Sequence, residues 1–129
     1  MFRSKEQQKS FNFPYQCAAD PRYGDDVYLA NENEHVVEHG DILVMASDGV
    51  FDNLYDEQIK NCIRPQVRMG ERLVDIQAAA DCIGGQSTQY GQDSAWISPF
   101  AKGARAAGFY FLGGKLDDVT AVVSEISLR

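Results

Sequence analysis

Two stretches of the chain set aspartates beside apolar runs. The first is Asp41-Ile42-Leu43-Val44-Met45-Ala46-Ser47-Asp48-Gly49-Val50-Phe51-Asp52-Asn53. The second is Gly113-Gly114-Lys115-Leu116-Asp117-Asp118-Val119-Thr120-Ala121-Val122-Val123. Asp48 leaves the C-terminal end of a predicted strand, and Asp117 enters the start of another. If those strands are antiparallel neighbours, both carboxylates meet at one edge of a sheet. Oxygen donors grouped there suit a hard divalent cation such as Mg2+ or Mn2+. Singly, each motif has a plainer reading. Asp48-Gly49 is a turn signal, and Asp117-Asp118 caps a turn or keeps a strand edge soluble. The two lie far apart in sequence, so spacing alone does not pair them.

The elements that must position these aspartates follow from pattern. Residues 1–25 lack periodicity and read mostly as loop, with a turn at Asp20-Pro21-Arg22-Tyr23-Gly24. Short strands are predicted over 26–30 and 33–37. The run Ile42–Ala46 is continuously apolar, which predicts a strand buried on both faces. Residues 56–63 read as a helix capped by Asn53 or Asp56, with Pro65 at its end or opening the next segment. From Gly70 to about Ile83, apolar residues at Leu73, Ile76, Ala80 and Ile83 predict an amphipathic helix. Gly84-Gly85 is expected to stop or loosen it, leaving 84–97 as a loop. Ser98-Pro99 opens a further helix to about Ala107. Gly113-Gly114 is a turn, and 119–126 is the last strand.

Composition narrows the function. At 129 residues the chain has the size of one domain, long enough to bury roughly two thirds of its unfolded surface. A net charge of −7 argues against a nucleic-acid surface, which needs Lys and Arg to neutralise phosphates. It argues equally against an anionic membrane surface, and no apolar run is long enough for a transmembrane helix. A solubilising surface accounts for the acidity as well as a cation site does. Cys17, Cys62 and Cys82 have no CxxC spacing, which disfavours structural zinc. Cys62 and Cys82 read as small core residues, with a reducing compartment implied. His35 and His39 read as exposed histidines rather than an acid/base pair. Asp48-Gly49-Val50-Phe51-Asp52-Asn53 fails as an EF-hand, which needs oxygen ligands at its third and fifth positions and glycine at the sixth, because Val50 stands third and Asn53 sixth. Phe109-Tyr110-Phe111 reads as packing rather than a base-stacking platform, and Arg64, Arg68 and Arg72 as a solvated face.

The two motifs carry a family resemblance. Ser47-Asp48-Gly49-Val50-Phe51-Asp52 resembles the Asp-Gly-hydrophobic-aromatic-Asp motif of PP2C-type metal-dependent serine/threonine protein phosphatases. Leu116-Asp117-Asp118-Val119-Thr120 resembles their closing Asp-Asn/Asp-hydrophobic-Ser/Thr motif. Glu6-Gln7-Gln8, Phe11-Asn12-Phe13-Pro14-Tyr15-Gln16 and Ser98-Pro99-Phe100-Ala101 are similar to the Ptc7-like subgroup, which implies a mitochondrial or cytoplasmic location. The resemblance implies an α+β fold, part of an antiparallel β-sandwich flanked by helices. It implies that residues 1–129 are the C-terminal part of the domain, since the family's domain is about twice as long. Exposed strand edges or an uncovered sheet face, and homo-oligomerisation through that face, are expected.

For the chemistry, the resemblance implies hydrolysis of a phosphomonoester on a phosphoprotein by water held between two divalent ions, Mg2+ or Mn2+. Asp48 and Asp117 would be the metal-binding and catalytic residues. Asp52 would support the turn after Asp48, and Asp118 has no assigned role. The family's N-terminal acidic pair, its Asp-Gly-His-like motif and its phosphate-holding arginine have no counterpart in residues 1–40. The chain alone is therefore expected to be inactive. The alternative is a non-catalytic PP2C-like fragment acting as a protein-interaction module.

Overall fold

A computed structural model describes residues 1–20, 22–67 and 74–128. It divides into two compact units, Met1–Val36 and Val37–Arg129. The fold is α+β with antiparallel strands, as expected.

In the first unit, β1 (Gln8–Ser10) pairs antiparallel with β2 (Phe13–Pro14), an element the loop reading of 1–25 did not include. Asn12 takes the left-handed backbone at the turn, with φ 56, a conformation Asn tolerates well. Its N–H donates to Gln8 Oε1 at 2.7 Å. The strand predicted over 26–30 is instead a 3-10 helix, Val27–Leu29. Asp26 decides this: its carboxylate accepts from the Tyr28 N–H at 3.0 Å, a local cap that outweighs the apolar pattern. Residues 33–37 form no strand.

The second unit holds both aspartate motifs. β3 (Ile42–Ala46) pairs antiparallel with β4 (Ala121–Glu125), in the register Ile42↔Glu125 through Ala46↔Ala121. The last strand is thus found inside the predicted 119–126. Ile42, Val44, Ala46 and Val123 face a core built with Val50, Leu54, Ile59, Cys62, Ala79 and Ile83. Among the described residues of this unit the opposite face is exposed. Leu43 is 52% exposed, Met45 63% and Val122 46%, which corrects the expectation of a strand buried on both sides. An all-apolar strand can lie over one helical layer and still lack a second layer.

Helix α1 (Asp48–Phe51) follows β3 immediately, and α2 (Asp56–Ile63) follows it at the predicted bounds. The cap of α2 is not Asn53 or Asp56. Tyr55 occupies the N-cap, and its N–H donates to Gln58 Oε1 at 3.0 Å. α3 spans Ile76–Gln92, so the double glycine neither stops it nor opens a loop over 84–97. Residues 70–73 of the predicted helix lie outside the described residues. The helix continues because Ala79, Ile83, Ser87 and Gly91 recur every four residues and are all buried. That stripe offsets the roughly 1 kcal/mol each glycine costs a helix. Within it, the Ser87 hydroxyl donates to Ile83 O at 2.7 Å. α4 (Pro99–Ala106) begins as predicted, with Ser98 Oγ accepting from Ala101 N–H.

Cys62 and Cys82 are joined in a disulfide between α2 and α3. This corrects their reading as separate core thiols and removes the basis for expecting a reducing compartment. Pairing depends on helix packing, which brings the two Cα atoms to 5.5 Å and which spacing cannot reveal. Cross-linking across a separation of 20 residues should stabilise the chain by about 3 kcal/mol through unfolded-state entropy. Urea denaturation with and without dithiothreitol checks this. Coincident transitions would show that the bond contributes nothing.

Candidate functional site

The antiparallel pairing sets the end of β3 beside the start of β4, so both motifs sit at one end of the sheet. Ser47 stitches them together. Its N–H donates to Thr120 O at 3.0 Å, its hydroxyl donates to Asp118 O at 2.9 Å, and its Oγ accepts from Thr120 N–H at 3.0 Å. Gly49 then lets the backbones touch. A Cβ there would lie 2.4 Å from the Asp118 carbonyl oxygen, so no other residue fits without moving the second motif.

Asp48 opens α1 and Asp52 follows one helical turn later, so both side chains leave the same face. Asp117 reaches them from the other motif. Asp48, Asp52 and Asp117 each offer a carboxylate oxygen, and these atoms all lie within 4.8 Å of one another. The structure thus brings together the two residues expected from sequence and adds Asp52. A second addition is Lys115. Its Nζ lies 2.7 Å from Asp52 Oδ2, 2.8 Å from Asp117 Oδ2 and 3.7 Å from Asp48 Oδ2. It also lies 4.9 Å from the centre of the Phe100 ring. The signal for Asp52 was its four-residue offset from Asp48, legible once 48–51 is seen as helix rather than turn.

The electrostatics follow from this crowding. Burial raises the Asp52 pKa above the ordinary carboxylate value, with the Lys115 pairing opposing that shift. The Lys115 hydrogen bond holds Asp117 below the ordinary value, helped by the Asp118 N–H on Asp117 Oδ1. Burial works against charge on Lys115, but its hydrogen bonds to Asp117 and Asp52 overcome this and raise its pKa.

Asn53 fixes the root of Lys115. Its buried amide nitrogen donates to Gly49 O at 2.9 Å and to Lys115 O at 2.7 Å, while its Oδ1 accepts from Lys115 N–H at 2.8 Å. Trp96 Nε1 donates to Asn53 O at 2.9 Å, and the indole stacks on Tyr90 with ring centroids 4.3 Å apart. On the same loop, Gly113 O accepts from the Ser98 hydroxyl at 2.7 Å and Gly114 N–H donates to Asp93 O at 2.8 Å.

The other sequence candidates are not among the clustered carboxylates. His39 precedes β3, at the far end of the sheet, and its Nδ1 accepts from Leu128 N–H. His35 belongs to the first unit, where it contacts Phe2. Asp118 contributes its backbone to the site and is not among the clustered carboxylates. Arg64 pairs with Glu57 and Asn61, and Arg68 and Arg72 lie outside the described residues. Among the described residues, no helix is long and apolar enough to cross a membrane.

No family model matches the chain. Curated relatives do. It is 39% identical to "Probable protein phosphatase 2C 80" of Arabidopsis thaliana, over 98% of this chain and 30% of the relative. It is 34% identical to the human "Protein phosphatase PTC7 homolog", over 97% of this chain and 42% of the relative. The solved photosystem II phosphatase PBCP superposes with a TM-score of 0.82 at 27% identity, covering 98% of this chain and 51% of that one. The chain is a relative of the protein phosphatases 2C. It spans less than half the length of these curated relatives. PP2C phosphatases are a metal-dependent family, and the hard oxygen donors of Asp48, Asp52 and Asp117 are of the kind a divalent ion takes. Three carboxylates leave the remaining coordination positions of such an ion to water or other groups, so the donor set fits without completing a site.

The two-way Asn53 clamp should be structurally costly to remove. Asn53→Ala leaves the N–H and C=O of Lys115 without their partner, so stability should fall by about 2–4 kcal/mol. Urea denaturation measures it. A variant as stable as the parent would show that the clamp is dispensable.

Proposed function

We propose that this chain is the C-terminal part of a PP2C-type serine/threonine protein phosphatase domain and supplies part of its metal site. The observation that carries the reading is the convergence of Asp48, Asp52 and Asp117 from two remote motifs. Coverage of 51% of the solved PBCP chain supports reading residues 1–129 as one part of a larger domain. The order of the two motifs supports the C-terminal part.

In this reading Asp48 and Asp117 hold Mg2+ or Mn2+, and Asp52 lies beside them. A pair of such ions, when bound, supplies a water of lowered pKa and neutralises charge on the phosphoryl oxygens. The residues of this chain position the donors. Asp48 is the most exposed of the three, with its side chain 62% accessible, and so faces an arriving phosphoprotein. Asp117 is fixed by the Asp118 N–H, and Ser47 keeps the two motifs in register. In this reading His39, at the far end of the sheet, takes no part in the reaction.

With so few donors the 129-residue chain should show little or no Mn2+- or Mg2+-dependent hydrolysis of p-nitrophenyl phosphate. Robust turnover, abolished by Asp117→Asn, would overturn the partial-site reading.

The outward face of β3 and β4 favours a second reading, an interaction module. Leu43, Met45 and Val122 form an apolar face of a kind rarely left in water when it grows beyond a few hundred Å2. A second copy of the chain covering it would give a homo-oligomer. Sedimentation at micromolar concentration tests this second reading: it expects a dimer or larger species, and a stable monomer removes it.

A further inference from the structure

We infer that Lys115 is a resident counter-cation of the carboxylate cluster, which a divalent ion must displace in order to bind. The inference rests on the metal-site reading above and adds to it a competitor carried by the chain itself.

The geometry makes the competition direct. The three carboxylates that converge within 4.8 Å are the same three that surround Lys115 Nζ, at 2.7, 2.8 and 3.7 Å. A divalent ion binds carboxylate oxygens at roughly 2.0–2.6 Å. It cannot take those contacts while the ammonium keeps them. Two cations in one small cluster also repel each other strongly in a partly buried setting. Side-chain exposure of 19% at Lys115 and 15% at Asp52 places the main pair in such a setting.

The lysine is placed there by the fold. Asn53 grips both its N–H and its C=O, so the root of the side chain is fixed. Gly114, just before it, packs so closely on α3 that a Cβ would lie 1.8 Å from Tyr90 O. With the loop pinned, the ammonium leaves only by rotation of its flexible four-carbon stem. The loop and the three carboxylates stay where they are. Lys115 therefore does what an ion would otherwise do, relieving repulsion among Asp48, Asp52 and Asp117, and sets the threshold an incoming ion must exceed.

Mn2+ titration calorimetry on the 129-residue chain tests this with Lys115→Met, which keeps a stem and loses the charge, and Lys115→Arg, which keeps the charge. The Met variant should bind Mn2+ roughly tenfold or more tightly than the parent, and the Arg variant should stay near it. Without metal the Met variant should melt below the parent, and Mn2+ should raise its Tm by more. Equal or weaker binding by the Met variant overturns the inference while leaving the metal site standing. Absence of Mn2+ binding in parent and Met variant alike overturns the metal reading and this inference with it. Should the Met variant not fold, the parent decides by NMR during Mg2+ addition. The Lys115 Cε signal should shift in step with the Asp117 carboxyl carbon. A shift at Asp117 with none at Lys115 overturns the inference.

Discussion

The side chain of Asn53 bonds to both the N–H and the C=O of Lys115, and through its amide nitrogen also reaches Gly49. Those contacts join the segment after β3 to the segment before β4, which the sheet alone brings together only from Ile42 to Ala46. Everything chemical in the second unit hangs on that join. Asp48 and Asp52 lie on one side of it, and Lys115 and Asp117 lie on the other. A buried amide suits the task because it both donates and accepts, so it can satisfy a strand-like backbone that has no strand partner. An apolar residue of similar size would fill the space and leave two backbone groups unpaired.

Close backbone approach is the second requirement. Gly49 against Asp118, and Gly114 against Tyr90, are positions where a single carbon atom would push the two motifs apart. The Asp-Gly and Gly-Gly steps are thus geometric conditions for convergence rather than turn signals alone. The buried stripe of α3 works to the same end. Small residues at Ala79, Ser87 and Gly91 let the helix lie close, and its C-terminal end reaches the loop that carries Lys115.

Much of this was legible in the residues. The bounds of α2 were legible although its Tyr55 cap was not, the start of α4 follows from the Ser98-Pro99 cap, and β3 and β4 follow from their apolar, β-branched runs. The placement of Asp48 and Asp117 at one sheet end follows from motif order once the strands pair. What could not be read is what depends on contacts between distant elements. Gly84-Gly85 looked like a stop because its cost is local, whereas the stripe that overrides it is buried by other elements. The bond between Cys62 and Cys82 depends on how two helices pack. Asp26 turned a predicted strand into a 3-10 helix by one hydrogen bond. Lys115 lies within the second motif with no role legible in sequence, because three carboxylates around one nitrogen exist only in three dimensions.

The chain has a single tryptophan. Its indole N–H is held by the carbonyl of Asn53, and its ring is stacked on Tyr90 near the end of α3. Most tryptophans report on a core in general. This one is attached to the residue that joins the two motifs, and it sits one residue from the carbonyl that receives the Tyr55 hydroxyl. Trp96 is in effect a built-in optical probe of the junction. Its emission carries information about whether the aspartates are assembled, without any label being added.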